Sequence, residues 1–216
     1  MFIPLPPIPS QFRRCSSLAL LTLFLLMASS GQAQSNEIGL LVGRLEPSDR
    51  GLTSFVPVEA ALRGSVAYQI SYASRLVDGS VAAVYGELVI AGAPSSRIRA
   101  SNLLVPDTYS SLFFTPGLRL KLLPTARISP FLVGGVGLGR YAGSETGSAG
   151  QPIPGSRSNL TWAFSYGGGV DLQLFGPLAL RAELRDFLTG NPTFGPGFVN
   201  NRQHNIFLGG GVVLRW

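Results

Sequence analysis

From residue 34 onward, apolar and polar positions alternate with a period of two in one segment after another, and no apolar stripe of helical period interrupts them. Eight segments carry this pattern: Glu37–Arg44, Ser65–Val77, Ser80–Ala91, Tyr109–Leu122, Arg127–Tyr141, Asn159–Leu174, Leu178–Leu188 and His204–Trp216. Each reads as a strand. In the last, Ile206, Leu208, Val212, Leu214 and Trp216 share one face with Gly210. Asn205, Gly209, Gly211 and Arg215 share the other, along with Phe207 and Val213. Leu178, Leu180 and Leu184 oppose Arg181, Glu183 and Arg185. Trp162, Phe164, Tyr166, Val170 and Leu172 oppose Ser165, Gly167, Gly169, Asp171 and Gln173. Leu112, Phe114, Leu118, Leu120 and Leu122 oppose Ser111, Thr115, Gly117, Arg119 and Lys121, and Val66, Tyr68, Ile70 and Tyr72 oppose Gln69, Ser71 and Arg75. Arg127–Tyr141 is ambiguous, because Val133, Gly135, Val136 and Gly137 offer no clean polar face.

The connections alternate as strictly as the residues. Asp78-Gly79 predicts a two-residue hairpin turn with positive φ, and Pro124-Thr125 and Gly176-Pro177 predict two further tight turns. The others, Leu45–Gly64, Gly92–Thr108, Ala142–Ser158 and Thr189–Gln203, are long and rich in Pro, Ser, Asn and Gly. Eight up-and-down strands then place every long connection at one end. Short periplasmic turns opposite long outer loops are the asymmetry of an outer-membrane barrel. The expected fold is all-β, an eight-stranded antiparallel up-and-down transmembrane barrel over 34–216.

Composition narrows the picture. Only 13% of residues are charged, yet the chain after residue 33 holds no apolar run long enough for a helical span. The 27 Gly and 16 Pro suit strands and turns and would be costly inside helices. Residues 1–33 read as a signal peptide: Arg13 and Arg14, the apolar core Leu18–Met27, then Gly31-Gln32-Ala33 with cleavage between Ala33 and Gln34. Cys15 leaves with the signal, so disulfides, thiolate metal sites and a cysteine nucleophile are excluded. The formal charge of +6 falls to about +4 without Arg13 and Arg14 and is scattered, which gives nucleic-acid binding no support.

Alternation does not say which face is inside. A lipocalin-like soluble barrel would turn the apolar face inward. Three features favour the reverse: glycines crowd the charged face where a narrow lumen must fit arginines, large and aromatic residues dominate the other face, and the chain stops inside its last strand at Trp216. Glu37, Arg75, Glu87, Arg119, Lys121, Asp171, Arg181, Glu183, Arg185 and Arg215 would then form a lumen charge network, paired and hydrated because an isolated buried charge is costly. Such a network is either an ion path or the packed core of a plugged barrel. Eight strands favour the plug.

The stretches Ile128-Ser129-Pro130-Phe131-Leu132-Val133-Gly134-Gly135-Val136-Gly137, Tyr166-Gly167-Gly168-Gly169-Val170-Asp171-Leu172 and Leu180-Arg181-Ala182-Glu183-Leu184-Arg185 resemble the OmpA-like barrel family, with its OmpX-type and Opa-type surface proteins. The last strand, with Val212, Leu214 and the terminal aromatic Trp216, resembles that family's assembly signal, although family members more often end in Phe. The resemblance implies insertion by the general barrel-assembly machinery, after the export through the Sec pathway expected of the signal segment. The family's peptidoglycan-binding domain would follow the barrel and is not expected here, where the sequence ends at Trp216.

Other chemistry is weaker. Gly135, Gly137 and Gly139 sketch a nucleotide-binding pattern but sit within a strand, so the phosphate-cradle reading fails its context. His204, the single histidine, would need an oriented partner and a nucleophile to act as a base, and Ser144, Ser156 and Ser158 are the loop serines available. Arg97 and Arg99, in the second loop, are candidates for contact with anionic lipopolysaccharide or a protein partner. Neither a cofactor nor a metal is implied. The expectation is a non-enzymatic outer-membrane barrel with a structural, adhesion or surface-interaction role. The alternatives are a barrel enzyme acting on lipid or protein, and a secreted lipocalin-like carrier.

Overall fold

A computed structural model of the chain describes residues 36–47, 60–62, 64–100, 108–143, 158–190 and 202–216, and for 60–62 and 97–100 the backbone alone. The signal segment 1–33 and its cleavage point at Ala33 and Gln34 lie outside these residues. The strands are β1 (Asn36–Pro47), β2 (Ala60–Leu62), β3 (Ser65–Val77), β4 (Ala82–Ala100), β5 (Thr108–Leu122), β6 (Ile128–Gly143), β7 (Ser158–Phe175), β8 (Leu178–Gly190) and β9 (Arg202–Arg215).

All pairings are antiparallel, and β1, β3 and β4–β9 form a closed ring in which β1 pairs with β9 and β4 with β5. The closing ladder runs from Glu37↔Arg215 to Pro47↔Asn205. It is clasped at one end by Asn36 N–H to Trp216 O and Trp216 N–H to Asn36 O, each 3.0 Å. Closure leaves no unpaired edge among the eight staves. β9, at about 3.4 Å per residue and tilted by about 40°, rises roughly 35 Å, more than the apolar belt of a barrel in a bilayer.

The faces are inverted relative to a water-soluble barrel. Leu40, Val42, Val66, Ile70, Leu118, Leu132, Val136, Leu184, Leu208 and Val212 lie exposed on the outside, while Arg119, Lys121, Asp171, Arg181 and Glu183 are almost fully buried. The alternation within each strand sends these two sets to opposite sides of one wall. The apolar outside suits hydrocarbon. Aromatic residues are divided: Tyr68, Phe114, Trp162, Phe164 and Phe175 face out, whereas Tyr85, Phe113, Phe131, Tyr141, Phe187 and Phe207 fill the lumen. This resolves β6, the strand without a polar face. Its inward row is Phe131, Val133 and Tyr141, so both of its faces are apolar.

Several boundaries differ from the sequence pattern. β4 continues to Ala100 and pairs with β2, which falls inside the predicted first loop. The predicted strand stops at Ala91, but the β4–β5 ladder runs on past Pro94, with a register shift between Ala93 and Ser96. An irregularity there accommodates a residue that cannot donate to the ladder. Asp78-Gly79 is not a positive-φ turn. Among the described residues only Leu123 (φ 49°) and Gly176 (φ 51°) are positive. The β3–β4 connection is residues 78–81, because the register slips between Arg75 and Val77 and Arg75 NH1 reaches Asp78 Oδ1 at 3.0 Å. At the second short turn, between β5 and β6, Leu123 O accepts from Ala126 N–H (2.9 Å) and Ser129 Oγ (2.8 Å).

Candidate functional site

The lumen has two layers. The layer nearer the short turns is ionic. Glu37, near the start of β1, accepts from Arg119 NH1 and Arg181 NH2, both 3.0 Å, and pairs with Lys121 and with Arg215 Nε at 3.2 Å. Asp171 on β7 takes Arg181 in a two-point grip, Nε at 2.6 Å and NH2 at 2.8 Å, together with Lys121 Nζ at 2.9 Å and Arg215 NH2 at 2.8 Å. Glu87 on β4 joins Arg119 to Arg185, the latter at 2.8 Å. Glu183 accepts from Arg185 Nε at 2.6 Å and from Gln69 Nε2 at 3.0 Å.

The guanidinium groups of Arg119 and Arg181 also lie against Phe131, with Cζ 4.9 and 4.8 Å from the ring centroid, and Lys121 Nζ is 5.1 Å from that of Tyr85. Burying so many charges is tolerable only when each has partners on several sides. Strands from every quarter of the ring supply them. Glycines make the space: a Cβ added to Gly211 would stand 2.7 Å from Leu41 Cα, and one added to Gly43 would stand 2.5 Å from Gly209 Cα.

Above this layer, toward the longer connections, the lumen turns aromatic. Phe113 stacks on Phe187 with centroids 4.7 Å apart and meets Tyr141 edge-on at 5.9 Å. Leu41, Leu45, Val89 and Phe207 complete the layer. Tyr141 Oη bonds Thr189 Oγ1 (2.7 Å) and accepts from Asn205 Nδ2 (3.0 Å), which also donates to Phe187 O (3.0 Å). The sequence analysis missed this stacking, although Phe113 and Phe187 fall on the polar parity of β5 and β8, as Phe207 does on β9.

Of the ten residues read as a lumen charge network, nine are brought together. Arg75 stands apart, bonded to Tyr85 Oη (3.0 Å) and Asp78 at the turn. Val212, Leu214 and Trp216, read as an assembly signal, point outward with the apolar belt. Arg97 and Arg99 lie on the extension of β4, opposite Thr108 and Ala61, not in a loop. Ser144 and Ser156 lie outside the described residues, and Ser158 begins β7.

His204 is on the outside of the wall, not in the lumen. Its Nδ1 bonds Asp186 Oδ2, the oxygen that also accepts from Tyr166 Oη at 2.7 Å. Asp186 Oδ1 accepts from the Asn205 N–H at 3.1 Å. Asp186 sits on the same outward parity of β8 as Leu180 and Leu184, a position at which the pattern predicts an apolar residue.

Two solved structures share this architecture. Neisserial surface protein A superposes with a TM-score of 0.57 at 13% identity, over 86% of this chain and 99% of its own. The outer membrane protein OprG from Pseudomonas aeruginosa does so with a TM-score of 0.55 at 14% identity, over 86% of this chain and 98% of its own. No protein-family model matches the chain, and no curated protein sequence matches it. The fold is therefore that of the small eight-stranded outer-membrane barrels.

Proposed function

We propose that the chain is a non-enzymatic barrel of the bacterial outer membrane with a structural or surface-interaction role and a lumen closed to ions. The observation that carries this is the inverted wall around a doubly sealed interior. The apolar outside is matched to lipid, ion pairs occupy one half of the lumen, and stacked aromatic rings occupy the other. An ion entering such a lumen would have to displace partners already at 2.6–3.0 Å and then cross a packed aromatic layer. What remains available for recognition is the outer wall and the end bearing the longer connections. The long connections face the cell exterior, the lipid partners are outer-membrane lipid and lipopolysaccharide, and Val212, Leu214 and Trp216 serve the assembly machinery after Sec export.

The test combines partition and conductance. The exported protein enters the detergent phase, migrates differently on gels with and without boiling, and gives no steady single-channel current in planar bilayers. Unheated protein that stays soluble without detergent would refute the membrane reading. Stable open-channel current from the unaltered chain would refute the plug.

A further inference from the structure

The lumen plays no part in the Tyr166–Asp186–His204 group, which three separate strands assemble on the outer wall. On β8 and β9 the outward residues on the turn side of it are Leu184, Leu180, Ile206, Leu208, Val212 and Leu214, an unbroken apolar run. On the other side of His204 along that face of β9 comes only Arg202, exposed and two residues on, about 7 Å away. Along β9 the group thus ends the apolar belt, while on β7 and β8 the outward Phe164, Trp162, Leu160 and Leu188 continue past it, an aromatic-rich rim of the kind found where headgroups begin.

A carboxylate at such a boundary is costly unless satisfied, and Asp186 takes three donors: Tyr166 O–H, the Asn205 N–H and His204 Nδ1. An ionised carboxylate only accepts, so the Nδ1 of His204 carries its proton. Asp186 is largely covered (side chain 12% exposed) and His204 is less so (30%). What the wall presents to the headgroup layer is thus an imidazole edge, Nε2, held in one orientation with a counter-charge behind it. Glu46, the nearest outward acid on β1, is already paired with Arg44.

On the outer-membrane reading above, we infer that Tyr166, Asp186 and His204, with Arg202 beside them, form a binding site for the phosphate monoester of an outer-leaflet glycolipid. The fit is chemical. A phosphate monoester oxygen and an imidazole Nε2 can share one proton whichever holds it, and an arginine at one headgroup's distance supplies the second charge-assisted contact.

The chain's single histidine gives the test a single reporter. Full-length protein labelled with 15N-histidine is reconstituted into phosphatidylcholine vesicles containing a phosphorylated lipid-A-type glycolipid, and Nε2 is correlated with 31P, whose monoester and diester signals differ. The expected result is a correlation to the monoester signal. It disappears when the glycolipid is dephosphorylated, is lost or strongly weakened in Asp186→Asn, and is retained in Asp78→Asn, a carboxylate change at an exposed short turn away from the group. Several results would overturn the inference: no 31P contact from inserted protein, contact only with the diester, contact only with inorganic phosphate added to glycolipid-free vesicles, or undiminished contact in folded Asp186→Asn. Failure to insert into vesicles at all would overturn the inference together with the membrane reading, which separates the two failures.

Discussion

Asp171 is the point at which the lumen is most open to attack. Its side chain is fully buried and its two oxygens take four contacts from three cations: Arg181 twice (2.6 and 2.8 Å), Lys121 (2.9 Å) and Arg215 (2.8 Å). Asp171→Asn keeps the shape but replaces an acceptor oxygen with an N–H donor aimed at other donors. It leaves Glu37 as the ionised carboxylate paired with Lys121, Arg181 and Arg215, while Arg119 keeps Glu87 as well. Removing one side of a buried pair typically costs about 3–5 kcal/mol, because the abandoned charge has no water to return to. The assay is equilibrium unfolding in guanidinium from lipid vesicles, followed by the fluorescence of the two tryptophans and by the gel shift between unheated and boiled samples. Asp78→Asn is the control: its partner pair is at the turn with Asp78 65% exposed, and the expected loss is about 0–1 kcal/mol. In Asp171→Leu/Arg181→Leu the losses should be sub-additive by at least about 1 kcal/mol, since the partners leave together. If Asp171→Asn is no worse than Asp78→Asn, the lumen charges are hydrated and mobile, and the packed-plug argument is wrong.

Three further outcomes follow from other parts of the wall. Gly211→Ala brings its Cβ to 2.7 Å from Leu41 Cα and should lower stability by about 1–3 kcal/mol, whereas Gly134→Ala, with no atom within 4 Å of the added carbon, should stay within about 0.5 kcal/mol; equal effects in the same unfolding assay would mean that the β1–β9 approach is not tight. Leu208→Arg on the outer belt should cost about 2–4 kcal/mol in vesicles if that position lies near the bilayer midplane, and a neutral result would place the outer face in water. Leu123 holds a left-handed conformation that costs a non-glycine residue about 1–2 kcal/mol, so Leu123→Gly should be neutral or slightly stabilising, and a loss above about 1 kcal/mol would show that the Leu123 side chain is needed at the turn.

The strands were legible because lipid and lumen impose opposite chemistry on neighbouring residues: Leu180 and Arg181, or Leu120 and Lys121, cannot exchange faces. Where that contrast fails, so does the reading. β6 puts Phe131 and Tyr141 inward opposite Leu132 and Leu138 outward, and period alone has nothing to separate. The ionic layer was foreseeable as a set, since every one of its charges shares the lumen parity. Which carboxylate meets which cation was not, because Glu37 and Arg181 lie on strands joined only through ring closure. The group on the outer wall was hidden for the same reason. Tyr166↔Asp186 and Leu188↔His204 are register facts, although a charged Asp186 on an apolar parity was a visible anomaly.

The clasp between Asn36 and Trp216 has a consequence for the order of assembly. Every other pair of neighbouring staves is joined by one connection, but β1 and β9 are separated by the rest of the barrel. Relative to a tight hairpin this is roughly five doublings of loop length, about 3 kcal/mol of extra closure entropy, and no local turn helps to bring the two ends together. The seam is therefore the last ladder to zip and the first to fray. Until β9 arrives, β1 and its neighbours form a curved open sheet whose two edges invite foreign strands. Before closure the chain is an incomplete sheet, and the ring forms only if the outer edge of β1 stays unoccupied until β9 reaches it.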